Sequence, residues 1–272
     1  MSRSITETNP VGTYAESFLQ VRRAVGVVGI VLPFVFIIGE WFFLSGSVHV
    51  RGSLSAYYHT SMRDEFVAGL SVTGFLLATF MARKLSSWGF WLSLVAGLTL
   101  LGVAFVPTER LGLSAGAPRC GSVPTPEGCS AVQQLLGEKA AAGIHFSFAA
   151  TFILCLAAIA FMFAREEFDR SRQGMKWFQR GCGIAIVVLV VLAAVGEAAG
   201  ARLWEFTPLY LAEVGSVWVF GASWFLEGLR MKRLIRALRP ADGAETLPKA
   251  ERPAEHERAV LAKDGPPDQV PG

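Results

Sequence analysis

The stretch "AVGVVGIVLPFVFIIGEWFFL", Ala24–Leu44, carries a single ionisable side chain, Glu40, in an otherwise apolar run. A bilayer is crossed by about 20 predominantly apolar residues in helical form, so this segment predicts a transmembrane helix. It ends in the bulky "EWFFLSG" rather than a small-residue cleavage pattern, which favours a retained helix over a secretory signal. Pro33 predicts a kink, a defect that neighbouring helices can repair inside a bundle.

Five further apolar segments follow: Phe66–Ala82, Trp88–Val106, Ala140–Phe163, Gly181–Ala199 and Thr207–Leu229. The chain has 272 residues, of which 52% are hydrophobic and 17% charged. That balance is too apolar for an ordinary soluble domain. The expected fold class is all-α: a polytopic membrane protein with six transmembrane helices in one bundle. Residues 1–21 form a polar N-terminus and 22–232 the membrane domain. The last segment, 233–272, is rich in proline and charge, has no apolar face, and is predicted to be disordered.

Basic residues set the orientation. With the N-terminus inside, fifteen Lys and Arg of the loops and helix ends fall on the cytoplasmic side and six on the other. The positive-inside rule then places both termini in the cytoplasm of a cell inner (plasma) membrane protein. Cys120 and Cys129 fall in the long third connection, on the predicted outer face, where disulfides persist; a bridge between them is expected. Cys155 and Cys182 lie in apolar helices and read as small buried hydrophobes. The loop "AREEFDRSRQGMKWFQRG" fits either a short interfacial helix or a solvated connector. The basic residues follow topology and point to no nucleic acid, and nothing in the pattern assigns an oligomeric state.

Ionisable residues inside spans are costly and invite functional hypotheses. Here they gather toward the outer half: Glu40, His145, Glu197 and Glu213, joined by "SLSAYYHTSMRDEF", Ser53–Phe66. Glu227 alone lies near the cytoplasmic end. Glu213, Ser216, Phe220, Ser223 and Glu227 recur at three- and four-residue steps, one helical face that belongs toward the bundle interior. His49 reads as an incidental loop residue.

This asymmetry predicts an outward-facing polar pocket built from Glu40, Tyr57, Tyr58, His59, Arg63, Asp64, His145, Glu197 and Glu213. Its expected partners are membrane lipids, bound by the headgroup, or a small amphiphile. Tyr57 and Tyr58 suit the interface, where one end of the ring is apolar and the other wet. Arg63 suits a phosphate or carboxylate. An alternative is catalytic. Ser55 and His59 are four residues apart, hence on one face if the segment is α-helical, with Asp64 following. His59, His145 and Asp64 could hold zinc, since histidine and carboxylate form a common ligand set. A small transporter is a second alternative, disfavoured by the bare inner half and by the lack of an evident inverted repeat.

Two resemblances enter at these residues. Ser55, His59 and the following Asp64 resemble the first motif of the membrane hydrolase superfamily of alkaline ceramidases and adiponectin receptors. That resemblance implies a zinc-dependent lipid hydrolase, although the superfamily has seven helices and its late HxxxH pair has no counterpart here. "LGVAFVPTER", followed by a helix opening "IHFSFAATFILCLAA", is similar to an uncharacterised bacterial multi-pass membrane family that distantly resembles the FRAG/DRAM/Sfk group. Pro107, Thr108 and His145 carry that likeness, which implies a role in lipid organisation or signalling.

Overall fold

The computed structural model describes residues 10–43, 46, 50–80, 87–110, 113–114, 116–166, 173–204 and 206–238. Expectations for His49 and for residues 1–9, 167–172 and 239–272 lie outside the described residues, while 10–21 belong to the first helix and 233–238 continue the last. Contacts divide the chain into residues 1–232, described below, and 233–272, of which only a helical stretch to Leu238 is described.

Among the described residues, seven α-helices and one 3-10 helix run in chain order: α1 (Pro10–Phe43), the 3-10 helix (Leu54–His59), α2 (Arg63–Phe80), α3 (Trp88–Phe105), α4 (Ala131–Leu136), α5 (Glu138–Glu166), α6 (Gln173–Ala198) and α7 (Pro208–Leu238). The described residues contain one isolated antiparallel bridge, Leu203–Phe206, and no strand. Within them, five helices are long and apolar enough to cross a membrane: α1, α3, α5, α6 and α7. The protein is therefore a multi-pass helical membrane protein. The second expected span differs from the rest. α2 opens on Arg63, Asp64 and Glu65, so its apolar part among the described residues is Phe66–Phe80, and the expected span to Ala82 runs past the described residues.

Two pairs of helices approach at backbone distance. A Cβ built on Gly97 of α3 would lie 2.5 Å from the Gly74 carbonyl oxygen and the Ala78 nitrogen of α2. One on Gly26 of α1 would lie 2.8 Å from the Gly221 carbonyl oxygen of α7. In lipid, where apolar surface alone gives helices no reason to associate, such small-residue contacts supply the van der Waals energy. Along α7, Glu213, Ser216, Phe220, Ser223 and Glu227 are all buried, as their spacing implies. Ser223 hydrogen-bonds the Gln179 carboxamide of α6, while Glu227 pairs with Arg230 at 3.2 Å. Trp224 is fully enclosed between Phe163 and Phe220.

Cys120 and Cys129 form a disulfide. The connection it closes is organised on one buried carboxylate. Glu138, in the first turn of α5, accepts from Arg110 Nε at 2.7 Å, from Arg119 Nη1 at 3.1 Å and from the Cys120 amide at 3.0 Å. Ser130 and Gln133 form a capping box at the start of α4. Cross-linking a loop of this size is worth about 2–3 kcal/mol on chain-entropy grounds. Replacing both cysteines by alanine is expected to lower the midpoint of thermal unfolding. In the native protein, neither Cys120 nor Cys129 should react with maleimide before reduction.

Candidate functional site

The site is assembled where the 3-10 helix closes one end of the bundle. Ser53 caps that helix, its hydroxyl accepting from the Ala56 amide at 3.1 Å. Thr60 ends it, donating to the Tyr57 carbonyl at 2.9 Å and accepting from the Met62 amide at 3.1 Å. Thr207 does two jobs across the end of the bundle. Its hydroxyl caps α7, accepting from the Tyr210 amide at 2.9 Å, and donates to the Gly52 carbonyl. Pro208 follows at the first helical position, where its missing N–H costs nothing. This junction fixes Glu213, about one and a half turns into α7, beneath the start of the 3-10 helix. The carboxylate accepts from the Leu54 amide at 2.6 Å.

A second junction depends on Pro107. The residue before a proline is disfavoured in the α region, so α3 stops at Phe105. Two carbonyls beyond the stop then become acceptors for neighbouring elements. Val106 accepts from His145 Nδ1 at 2.6 Å. Thr108 accepts both from His59 Nε2 at 2.8 Å and from Gln133 Nε2 at 2.7 Å. A carbonyl can only accept, so His145 carries a hydrogen on Nδ1 and His59 carries one on Nε2. The free nitrogen of His145, Nε2, lies 2.8 Å from Ser55 Oγ. In the neutral imidazole Nε2 is an acceptor, so the Ser55 hydroxyl donates to it. Ser55 and His145 are both buried.

The nine expected pocket residues do not form one polar wall, because most of them are engaged in separate places by residues outside the set. Glu40, fully buried, pairs with Arg51, whose Nε lies 2.8 Å from Oε1. Tyr57 is buried and stacks on Phe36; burial, followed by the neighbouring Tyr210 and Glu40, raises its phenol above the ordinary value. Tyr58 accepts from Arg63 Nη2 at 2.8 Å, and the same guanidinium lies over its ring. Asp64 is exposed in the first turn of α2, where a carboxylate complements the helix dipole. Glu197 is exposed as well, accepting from the Leu209 amide at 3.1 Å and lying 3.6 Å from Arg202. It closes the turn between α6 and α7 and does not line a pocket floor. Only Ser55, His145 and Glu213 converge.

Burial lowers the His59 imidazole below its ordinary value; Arg110 and Arg63 act the same way, against the Thr108 contact. The folded state therefore favours neutral His59. The stability it confers is complete above the unfolded value of about 6.5 and is lost as pH falls toward the folded one. Melting temperature is expected to drop between pH 7 and pH 5, and less so in His59→Asn.

His59, Asp64 and His145 do not gather as metal ligands. Among the described residues, the group of three or more metal-capable side chains within 4.8 Å is Cys120, Cys129 and Glu138. Its sulfurs are joined in the disulfide and offer no thiolate.

Beneath Ser55 and Glu213 lies a cavity of about 100 Å³ between α1, α2, α3, α5 and α7. Its walls are apolar, with Leu32, Leu70, Phe152 and Phe220 among them; Ser55, Thr73 and Glu213 are the polar residues that reach it. No Lys, Arg or His lines it. Sequence reasoning passed over Arg51, Gln133, Glu138 and the Val106 carbonyl. Gln133 alone left a signal, its place three residues after Ser130 in a capping-box pattern. No family model, curated protein or solved structure matches the chain.

Proposed function

We propose that this chain is a six-span inner-membrane protein, with both termini cytoplasmic, that binds a small amphiphile. The apolar part enters the chamber and the polar head meets Ser55 and Glu213 beneath the 3-10 helix. One observation carries the reading: the cavity is walled almost wholly by apolar side chains, Thr73 apart, and has Ser55 and Glu213 at one end, the distribution an amphiphile requires. Its volume is somewhat below the roughly 150 Å³ of an engineered apolar cavity that takes up benzene. It therefore receives a short apolar segment, and a longer chain continues between the helices. The distribution of basic residues supports the orientation, and placement of the 3-10 helix on the outer side follows from it.

Ala149 lines the chamber, and Ala149→Phe fills it. The variant in lipid nanodiscs is expected to bind tritiated n-octanol about tenfold more weakly than the unsubstituted protein, after subtraction of empty discs. Unchanged binding in a variant that melts normally contradicts the proposal.

A further inference from the structure

The chamber's polar end has a chemistry that selects among amphiphiles. Glu213 is buried, with 8% of its surface exposed. Among the described residues it forms no ion pair, and the acidic groups nearby that need a cation have their own: Glu40 has Arg51 and Glu138 has Arg110 and Arg119. One of its oxygens is held by the Leu54 amide. Ser55 lines the cavity with it.

The Ser55 hydroxyl has its single hydrogen committed. The Val106 carbonyl requires the hydrogen of His145 on Nδ1, Nε2 is left as an acceptor, and Ser55 donates to it. What remains of Ser55 toward the cavity is lone pair, and Glu213 shares the same end of an otherwise largely apolar chamber. A buried carboxylate without a counter-charge carries an uncompensated desolvation cost.

A ligand head that supplies the missing counter-charge and also meets the Ser55 lone pair must carry positive charge and donate more than one hydrogen. An ammonium has three donors and no acceptor. A hydroxyl brings one donor and no charge. A carboxylate or phosphate adds a third set of acceptors and a like charge. We infer that the ligands of this chamber are cationic amphiphiles, primary or secondary alkylamines, whose ammonium bridges Glu213 and Ser55 while the alkyl part occupies the cavity. This inference rests on the amphiphile-binding reading above and names the class of ligand.

The experiment compares tritiated n-octylamine with tritiated n-octanol on the full chain in nanodiscs of zwitterionic lipid, empty discs being subtracted. The unsubstituted protein is expected to bind the amine at least tenfold more tightly than the alcohol at pH 7. Glu213→Gln is expected to erase that preference, weakening the amine far more than the alcohol. Equal affinities in the unsubstituted protein overturn the inference and leave the chamber reading intact, as does a preference that survives in Glu213→Gln. Binding of neither probe above empty discs overturns the chamber reading and the inference with it. Should Glu213→Gln fail to fold, the ratio in the unsubstituted protein still decides, together with competition by octanoate, which is expected not to displace the amine.

Discussion

Arg51→Ala is expected to cost the protein about 3 kcal/mol of stability. Glu40 is fully buried near the end of α1, and Arg51 brings the connection preceding the 3-10 helix back onto it. Removing one partner of a buried pair leaves the other as an uncompensated charge, which typically costs about 3–5 kcal/mol. The lower end applies because the Arg51 side chain is 37% exposed and water can partly screen the orphaned carboxylate. The double variant Arg51→Ala/Glu40→Gln is expected to recover most of the loss, since it removes the stranded charge. Thermal melts of the three proteins in one detergent check this. Equal loss in the single and double variants would show that the charge pair is not what holds the loop.

Gly97→Val is expected to separate α2 from α3. A Cβ there meets backbone atoms of Gly74 and Ala78, which cannot swing aside as a side-chain tip can. Overpacking a helix seam typically costs about 1–3 kcal/mol, and a clash against backbone lies at the upper end. The separation also reaches the site. α3 carries the Val106 carbonyl that orients His145, and α2 and α3 both line the chamber. The variant is expected to lose octanol binding along with melting temperature. Gly89→Ala serves as a comparison. There the added carbon meets only the flexible end of Met162, at 3.1 Å, and should be nearly neutral.

Why the bundle was legible in the sequence and the site was not follows from the range of the signals. Ala24–Leu44 declares itself by hydropathy alone, and the buried face of α7 by its three- and four-residue steps. The Cys120–Cys129 bridge needed only a topology and two cysteines in one loop. Ser55 was harder. Its spacing to His59 suggests a shared face in an α-helix, but the segment is a 3-10 helix. At three residues per turn, positions four apart diverge by about 120°. His59 consequently turns to Thr108, and Ser55 meets His145, ninety residues away. No local period announces that pairing. Glu40 and Arg51 escape for the same reason, since their contact depends on how the chain folds back beyond α1. Glu197 misled in the opposite sense: a carboxylate near the end of a span looks like a site residue, yet here it satisfies the first turn of the next helix.

The chamber itself left no mark in composition, because each of its walls reads as ordinary apolar helix. The most direct test of it is photolabelling. An n-octyl amphiphile with a diazirine at the tail terminus is irradiated with the full chain in nanodiscs, and the adducts are mapped by mass spectrometry. The account predicts adducts on Leu70, Thr73 and Phe152, which line the cavity, and their loss in Ala149→Phe. Adducts confined to outward residues of the same helices, such as Val72 and Phe75, would contradict it.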